Sequence, residues 1–276
     1  MREGSGGGGE MREGPGAGER GEKNTALHAL LGAFSTYSAI PMPPFRWDET
    51  VSRRMLWFFP AVGLACGGLL WWWSAFCTQL RIGEVLFAAG ASALPFLVTG
   101  GIHMDGFLDT VDALSSHRDR EKKLEILKDP HCGAFAVLWC GVWLLSWFAL
   151  LWELYRLGAV PLLAPGFVLS RALSGLLAVT LPNARRGGML YMSTERARGR
   201  ASVGVLGGTA LLTAALWLLL CPLPALCAAA LAAGTALAYR RMVLKCFGGV
   251  TGDTAGFFLQ TCELAMALGV WVGCRC

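Results

Sequence analysis

Long runs of apolar residues constrain this chain most, because each run approaches the roughly 20 residues with which an α-helix crosses about 30 Å of hydrocarbon. Hydrophobic residues make up 54% of the chain and charged residues 16%, which is more apolar surface than one soluble core can bury. The runs do not alternate between apolar and polar residues, and this excludes a membrane β-barrel. The seven runs lie at approximately 55–77, 83–101, 133–155, 158–181, 203–221, 223–239 and 257–274.

The rest of the chain fits around these runs. Residues 1 to 24 are rich in Gly and Glu and predict a disordered tail. The segment from Thr25 to Pro44 is apolar but interrupted, and we interpret it as a re-entrant or interfacial helix. We therefore expect an all-α, polytopic integral membrane bundle of about seven transmembrane helices, with residues 25 to 276 forming a single membrane-embedded domain. The ten cysteines include no C-x-x-C pair, so neither a zinc site nor a disulfide framework is indicated.

Basic residues concentrate in alternate loops of this bundle. Loops 45–54, 102–132, 182–202 and 240–256 carry three, five, five and three Lys or Arg residues, whereas the opposite ends carry only Arg81, Arg156 and Arg275. Because Lys and Arg gather on the cytoplasmic side of membrane proteins, we expect these four loops to face the cytoplasm. Their shared positive surface suits anionic, phosphate-bearing substrates or anionic lipid, although many of these residues can serve topology alone.

Three carboxylates lie together in the second basic loop. Residues 99 to 114 read TGGIHMDGFLDTVDAL and place Asp105, Asp109 and Asp112 at i, i+4 and i+7, within about 60° on one helix face. Their flanking residues are apolar, so we expect this helix to be partly buried. Hard oxygen ligands of this charge suit Mg²⁺ or Mn²⁺, which also bridge to phosphates. A metal site is therefore expected, and a solvated acidic helix face is the alternative.

Phosphate-binding groups are available on both sides of the acidic helix. The segment after it carries five basic residues that can clamp phosphates. Near the end of the chain, residues 248 to 256 read GGVTGDTAG, a glycine-rich helix start that can form an anion nest and adds Asp253 as a fourth carboxylate. The roles of Glu263, inside the last run, and of His103 and His131, beside the acidic helix, stay open.

Two classes of mechanism fit these features. One is a metal-dependent phosphotransferase at the cytoplasmic surface, and the other is a transporter that uses buried acids as a proton or cation relay. A transporter is expected to bury its acids near the midplane and to show inverted repeats. Here the acids collect in one set of loops, which favours the phosphotransferase. A CDP-alcohol phosphotransferase-like enzyme is the second enzymatic choice, because the D-x3-D-x2-D run fits it but its D-G-x2-A-R element is missing.

Four segments carry a more specific resemblance. They are FSTYSAIPMP near the start, GGIHMDGFLDTVDALSSHRDREKKLEILKD, the GAFAVL that follows it, and GGVTGDTAG near the end. In this order they resemble the cobalamin synthase family, whose members are membrane-bound adenosylcobinamide-GDP ribazoletransferases. The resemblance covers nearly all of the chain after about residue 26. The chain departs from it at Ala39, where many members have a basic residue, and at Ala113, which is often Gly.

The resemblance implies an enzyme of the last assembly step of coenzyme B12, in a bacterial cytoplasmic (inner) membrane with its active site facing the cytoplasm. The 5′-hydroxyl side of α-ribazole, or its 5′-phosphate, would accept the adenosylcobinamide phosphoryl group, and GMP would leave. Mg²⁺ is the implied cofactor. The implied partners are adenosylcobinamide-GDP, α-ribazole and the lipid bilayer, with no nucleic acid. The oligomeric state, a homo-oligomer included, stays open.

The resemblance also implies roles for the candidate residues, since in-line displacement at a pyrophosphate depends on positioning and charge neutralisation. Asp105, Asp109 and Asp112 would hold the metal against the diphosphate. Asp253 would either add a metal contact or accept the proton of the attacking hydroxyl, and the sequence does not choose between these. We expect Arg118, Lys128 and the backbone around Thr251 and Gly252 to bind the phosphates.

Overall fold

The computed structural model describes residues 17 to 276, and this part of the chain is built from helices. It contains no β-strand, and its single bridge joins Asn183 and Val250 in parallel. Short 3₁₀-helices at Met55–Phe58 and Val160–Leu163 lead into α3 and α8. The α-helices are α1 (Ala17–Tyr37), α2 (Glu49–Arg54), α3 (Phe59–Gln79), α4 (Glu84–Thr99), α5 (Ile102–Ser115), α6 (Arg120–Ile126), α7 (Ala134–Arg156), α8 (Ala164–Thr180), α9 (Met189–Ala197), α10 (Arg200–Leu220), α11 (Pro222–Cys246) and α12 (Gly252–Arg275).

All seven predicted runs are helical in the structure. Six helices of the described residues are long and apolar enough to cross a membrane. In this count α3 and α8 each include the short helices that lead into them. Helix α4 meets this criterion only together with α5, to which it is bent by 94°. The predicted all-α, multi-pass architecture is therefore confirmed. The largest boundary differences are that α11 continues to Cys246 and α12 already begins at Gly252, because helical hydrogen bonding extends past the apolar residues into polar ones.

The N-terminal region precedes the bundle. The predicted disordered tail covers residues 1 to 24, of which residues 1 to 16 lie outside the described part of the chain, and α1 begins at Ala17. After Tyr37 the backbone has little regular structure as far as Asp48, whose carboxylate caps α2. Helix α1 is not among the helices that meet the criterion for crossing a membrane.

Close helix crossings hold the centre of the bundle together. Gly63 and Gly67 of α3 lie against the backbone of α8, and Gly269 and Gly273 of α12 lie against the backbone of α11. Lipid provides no hydrophobic drive for helices to associate, so small residues that allow close backbone contact stabilise such pairs. Helices α3, α8 and α12 are the most buried, whereas α7, α10 and α11 expose large apolar surfaces that suit lipid.

An ion pair lies inside the bundle between α8 and α12. The guanidinium of Arg171 and the hydroxyl of Ser170 both donate to Oε1 of Glu263, the hydroxyl at 2.9 Å. The side chains of the pair are 1% and 5% exposed. A buried charge is stable only when it is paired and hydrogen-bonded. The structure therefore gives Glu263, whose role the sequence left open, a partner that joins two central helices.

Candidate functional site

A sharp turn places the acidic helix α5 across one end of the bundle. The residues of the turn, Gly100 and Gly101, have φ values of 64° and 79°. Side chains disfavour this left-handed conformation, so glycine suits both positions. Because α5 leaves α4 at 94°, it does not continue the span, and its carboxylates lie at the end of the bundle.

Two more glycines let α5 cross the start of α12 with the two backbones in contact. A Cβ atom at Gly106 would lie 2.7 Å from the carbonyl oxygen of Asp253, and one at Gly256 would lie 2.7 Å from that of His103. These distances are shorter than Cβ atoms tolerate, so larger residues would force the helices apart. The crossing brings Asp253 to the acidic helix, although the two are far apart in the chain.

Asp109 is half-buried and lies in the field of the other three carboxylates. Burial, and then the negative charges of Asp105, Asp253 and Asp112, raise the pKa of Asp109 to about 7, whereas the guanidinium of Arg185 lowers it. Among the described residues, neither Asp105 nor Asp109 forms an ion pair. The cluster therefore carries negative charge without a matching cation, which favours binding of one.

Asp112 has a different environment from the other two carboxylates of α5. Its Oδ2 accepts the backbone N–H of Gly133 at 2.5 Å, and its Oδ1 accepts that of Ala136 at 2.9 Å. These are two of the N–H groups that the first turn of α7 leaves without helical partners. Asp112 therefore anchors the start of α7 to the end of α5.

The structure does not gather the predicted three-carboxylate metal site. No group of three or more His, Cys, Asp or Glu side chains among the described residues is arranged to hold a metal ion. Asp105 and Asp112 share a helix face, but seven residues separate them by about 10 Å along the axis. Mg²⁺ is commonly held by one or two carboxylates together with water and substrate phosphates. Asp105 and Asp109, one turn apart and unpaired, fit that mode of binding.

A cavity of about 770 Å³ opens beside this cluster, and Asp105 and Asp253 line it. Its volume is within the roughly 300–1,000 Å³ that is usual for small-molecule sites. Three of the four predicted basic loops contribute to its walls, through Lys128, through residues 183 to 188 and through residues 250 to 253. These three loops, which the sequence predicts on one face of the membrane, thus meet around one cavity.

Three cations line the polar part of the cavity: Lys128, Arg185 and Arg186. Nη2 of Arg185 donates to Oδ2 of Asp253 at 2.6 Å. Lys128 was expected from the sequence as a phosphate ligand. Arg185 and Arg186 were counted in the positive surface of the basic loops but not singled out, although two adjacent arginines followed by Gly187 and Gly188 are a recognisable signal.

Other predicted phosphate ligands lie elsewhere. Arg118 is exposed and does not line the cavity. The guanidinium of Arg120 lies against Gly248, where it fills the space that a side chain at that position would need. Lys122 pairs with Glu125 at 2.6 Å on the surface. Of the basic residues that follow the acidic helix, the structure therefore brings only Lys128 to the cavity.

The glycine-rich segment before α12 acts first as a helix cap. Oγ1 of Thr251 accepts the N–H of Thr254 at 3.2 Å, and Oγ1 of Thr254 accepts the N–H of Thr251 at 2.9 Å, which forms a capping box. The N–H of Thr251 is thus already used. In the described part of the chain no hydrogen bond uses the N–H groups of Gly252 and Asp253. Only these two N–H groups of the predicted anion nest are therefore free to bind an anion, and both residues line the cavity.

The two histidines beside the acidic helix differ in position. His131 is exposed, pairs with Asp129 at 2.6 Å and does not line the cavity. His103 is buried and lines the cavity. Ala39, where a basic residue was expected, lies near Gly100 at the turn between α4 and α5 and is not a cavity residue either.

Known proteins resemble this chain over most of its length. The family model for cobalamin-5-phosphate synthase matches residues 29–271. An adenosylcobinamide-GDP ribazoletransferase of Lachnoclostridium phytofermentans is 38% identical over 244 residues, which cover 88% of this chain and 93% of that protein. One of Pseudomonas entomophila is 37% identical over 86% of this chain and 96% of its own length. One of Clostridium perfringens is 30% identical over 88% and 97%. No solved structure matches.

Proposed function

Because the chain belongs to the cobalamin-5-phosphate synthase family, we propose that it is an adenosylcobinamide-GDP ribazoletransferase, as its relatives are named. It transfers the adenosylcobinamide phosphoryl group to α-ribazole, or to α-ribazole 5′-phosphate, and releases GMP in the last assembly step of coenzyme B12. Neither the family match nor these relatives support a transporter or a CDP-alcohol phosphotransferase-like enzyme.

The name of the family favours a change in one detail of the expected reaction, the position of the attacking hydroxyl. A cobalamin 5-phosphate product keeps a phosphate at the 5 position, so we propose that the new bond forms at a different ribose hydroxyl from the 5′-hydroxyl side expected from the sequence. The oxygen of that hydroxyl forms a bond to the phosphorus that carries the cobinamide. The bond from that phosphorus to the oxygen of GMP breaks, and the hydroxyl proton passes to a base.

The cavity residues suit the binding steps of this reaction. Lys128, Arg185 and Arg186 supply positive charge for the diphosphate, and the N–H groups of Gly252 and Asp253 can donate to its oxygens. Asp253 already has a cation partner in Arg185, so its charge is balanced without a metal. We assign Asp253 the role of proton acceptor for the hydroxyl, because it lines the cavity and burial raises the pKa of its carboxyl, which favours accepting a proton.

Asp105 and Asp109 are the carboxylates that we assign to Mg²⁺. Asp105 lines the cavity, and Asp109 lies one helical turn further along α5, where burial and the neighbouring carboxylates raise its pKa to about 7. A cation would relieve this repulsion, and this single feature supports the proposal most strongly. When bound, the ion neutralises the charge that develops on the diphosphate oxygens. Asp112, which we expected as a third ligand, contributes by fixing α7 to α5 and thereby orienting the acidic helix.

The membrane orientation follows from the basic loops. Three of these loops line the cavity, so on the positive-inside rule we propose that it faces the cytoplasm from a bacterial inner membrane. The apolar outer surfaces of α7, α10 and α11 suit contact with the bilayer.

The function is tested with membranes that contain the chain, supplied with adenosylcobinamide-GDP and α-ribazole. We expect GMP release that depends on the acceptor and stops with EDTA. Asp109→Asn should lower it by at least about 100-fold while the protein stays inserted, because a metal ligand is lost. Asp48→Asn, at an exposed helix cap where Asn serves equally well, is the matched control. Full activity with EDTA would refute the metal, and substrate-independent ion flux in liposomes would instead support a transporter.

A further inference from the structure

A second depression, which we call the elbow groove, lies at the bend between α4 and α5. Its volume is about 720 Å³, and Gly100 and Gly101 of the turn form part of it. Leu97 is 68% exposed and Ile102 is 43% exposed, so the groove opens to the outside of the bundle. Apart from Asp105, the described side chains that line it are all apolar: Phe96, Leu97, Ile102, Met104 and Leu108.

The start of α5 lies between the elbow groove and the cavity. Asp105 and Ile102 line both of them, and no other described residue does. Asp105 is exposed, and it is one of the two carboxylates that we assign to Mg²⁺. A phosphate group held at Asp105 can therefore be reached from two sides, from the polar cavity and from the apolar groove.

The donor substrate has two large ends, which the diphosphate joins. In-line displacement places the attacking hydroxyl and the departing GMP on opposite sides of the phosphorus, so the cobinamide projects sideways from it. The cations and N–H groups of the cavity suit the polar GMP. A cavity of this volume encloses a drug-sized ligand, whereas the corrin ring with its adenosyl group is much larger. The corrinoid therefore needs a surface outside the cavity but next to Asp105.

Lipid is the other candidate for an exposed apolar groove in a membrane protein. An acyl chain in the elbow groove would lie against the carboxylate of Asp105, and a charge next to hydrocarbon is costly. A corrin ring carries methyl groups as well as amide side chains, so its surface can pack on leucines and also meet a polar group. The carboxylate in the wall of the groove therefore favours the corrinoid over lipid.

On the basis of the proposed function, we infer that the elbow groove binds the corrinoid end of adenosylcobinamide-GDP. The apolar rim of the corrin ring packs on Leu97 and Leu108, the link to the phosphate crosses α5 at Ile102 and Asp105, and the guanosine lies in the cavity. Because the groove is open, the protein covers one side of the corrinoid and leaves the other exposed. Leu97 is then a specificity-determining residue for the donor that contacts neither the guanosine nor the acceptor.

Two fragments of the donor test this assignment by direct binding. They are adenosylcobinamide phosphate, which lacks the guanosine end and is quantified by its visible absorbance in equilibrium dialysis, and GDP, which lacks the corrinoid. Leu97→Trp, which fills the groove, should weaken binding of adenosylcobinamide phosphate at least about tenfold and leave the affinity for GDP and the KM for α-ribazole unchanged. Leu86→Trp is the matched control, because Leu86 lies on the same helix, is 64% exposed and lines neither the groove nor the cavity. It should bind both fragments as the unaltered protein does.

A smaller change keeps the test valid if the added ring disturbs the fold. Leu97→Ala removes apolar contact surface and should weaken binding of adenosylcobinamide phosphate about threefold, whereas Leu86→Ala should not. Unchanged or tighter binding of this fragment in both Leu97 variants would overturn the inference and leave lipid as the occupant. Weaker binding of GDP, or a raised KM for α-ribazole, would assign the groove to another substrate and overturn it as well. The proposed function stands in each of these cases, and only absence of GMP release by the unaltered protein would refute it.

Discussion

Replacing Asp112 with Asn separates the anchoring of α7 from the binding of a metal. Both carboxylate oxygens of Asp112 accept backbone N–H groups, from Gly133 at 2.5 Å and from Ala136 at 2.9 Å. The amide of Asn keeps one acceptor oxygen and turns an NH₂ group towards the other N–H. One hydrogen bond to a charged group is lost, and the negative charge at the N-terminus of α7 is lost with it.

The size of the effect follows from these two losses. A hydrogen bond to a charged group contributes about 1.5–3 kcal/mol, and a negative charge at a helix N-terminus about 0.3–1 kcal/mol. The free energy of unfolding should therefore fall by about 2–4 kcal/mol. Since about 1 kcal/mol shifts Tm by about 2–4 °C for chains of comparable size, we expect a decrease of about 4–16 °C in detergent.

The assay combines thermal unfolding with a Mg²⁺ titration of GMP release well below the Tm. Asp112→Asn should unfold earlier but reach half-maximal activity at an unchanged Mg²⁺ concentration, because its oxygens contact α7. Asp119→Asn is the control for a capping residue, since Asn replaces Asp at the exposed cap of α6 without loss. An unchanged Tm with a Mg²⁺ requirement raised about tenfold would identify Asp112 as a metal ligand and refute this reasoning.

Two further predictions concern charged groups around the bundle. Arg185→Gln should raise the KM for adenosylcobinamide-GDP by about ten- to 100-fold, because it removes a cavity cation, whereas Arg240→Gln on the exposed part of α11 should not change it. A KM that is unchanged in Arg185→Gln would exclude this arginine from the diphosphate site. Glu263→Gln should lower the free energy of unfolding by about 3–5 kcal/mol, since it leaves Arg171 buried without its partner. Thermal unfolding measures this, and a stable but inactive Glu263→Gln protein would instead indicate a role in catalysis.

The helices were predictable because hydropathy alone determines which segments can lie in lipid. The acidic helix was equally visible, and its partial burial is confirmed. What periodicity could not supply is distance along the axis: Asp105 and Asp112 share a face, but about 10 Å separates them. The first turn of α7, which uses both oxygens of Asp112, comes 21 residues later and carries no sequence signal for that contact.

The phosphate-binding side of the site was only partly predictable. Lys128 and Arg118 lie ten residues apart in one basic segment, and only the fold decides that Lys128 lines the cavity. Arg185 was counted among the basic loop residues but could not be singled out, because its pairing with Asp253 depends on a contact between residues 68 positions apart. His103 was noted, but only the fold decides that it is buried and lines the cavity.

The central claim is that Asp105 and Asp109 hold a divalent cation. Electron paramagnetic resonance tests it directly, by measuring the affinity of purified protein for Mn²⁺, used in place of Mg²⁺, in the presence of adenosylcobinamide-GDP. We expect the unaltered protein to bind the ion together with the donor substrate. The double variant Asp105→Asn with Asp109→Asn should bind it at least about tenfold more weakly, because only the diphosphate oxygens remain as ligands. Equal Mn²⁺ affinity in the two proteins would show that these carboxylates do not form the metal site.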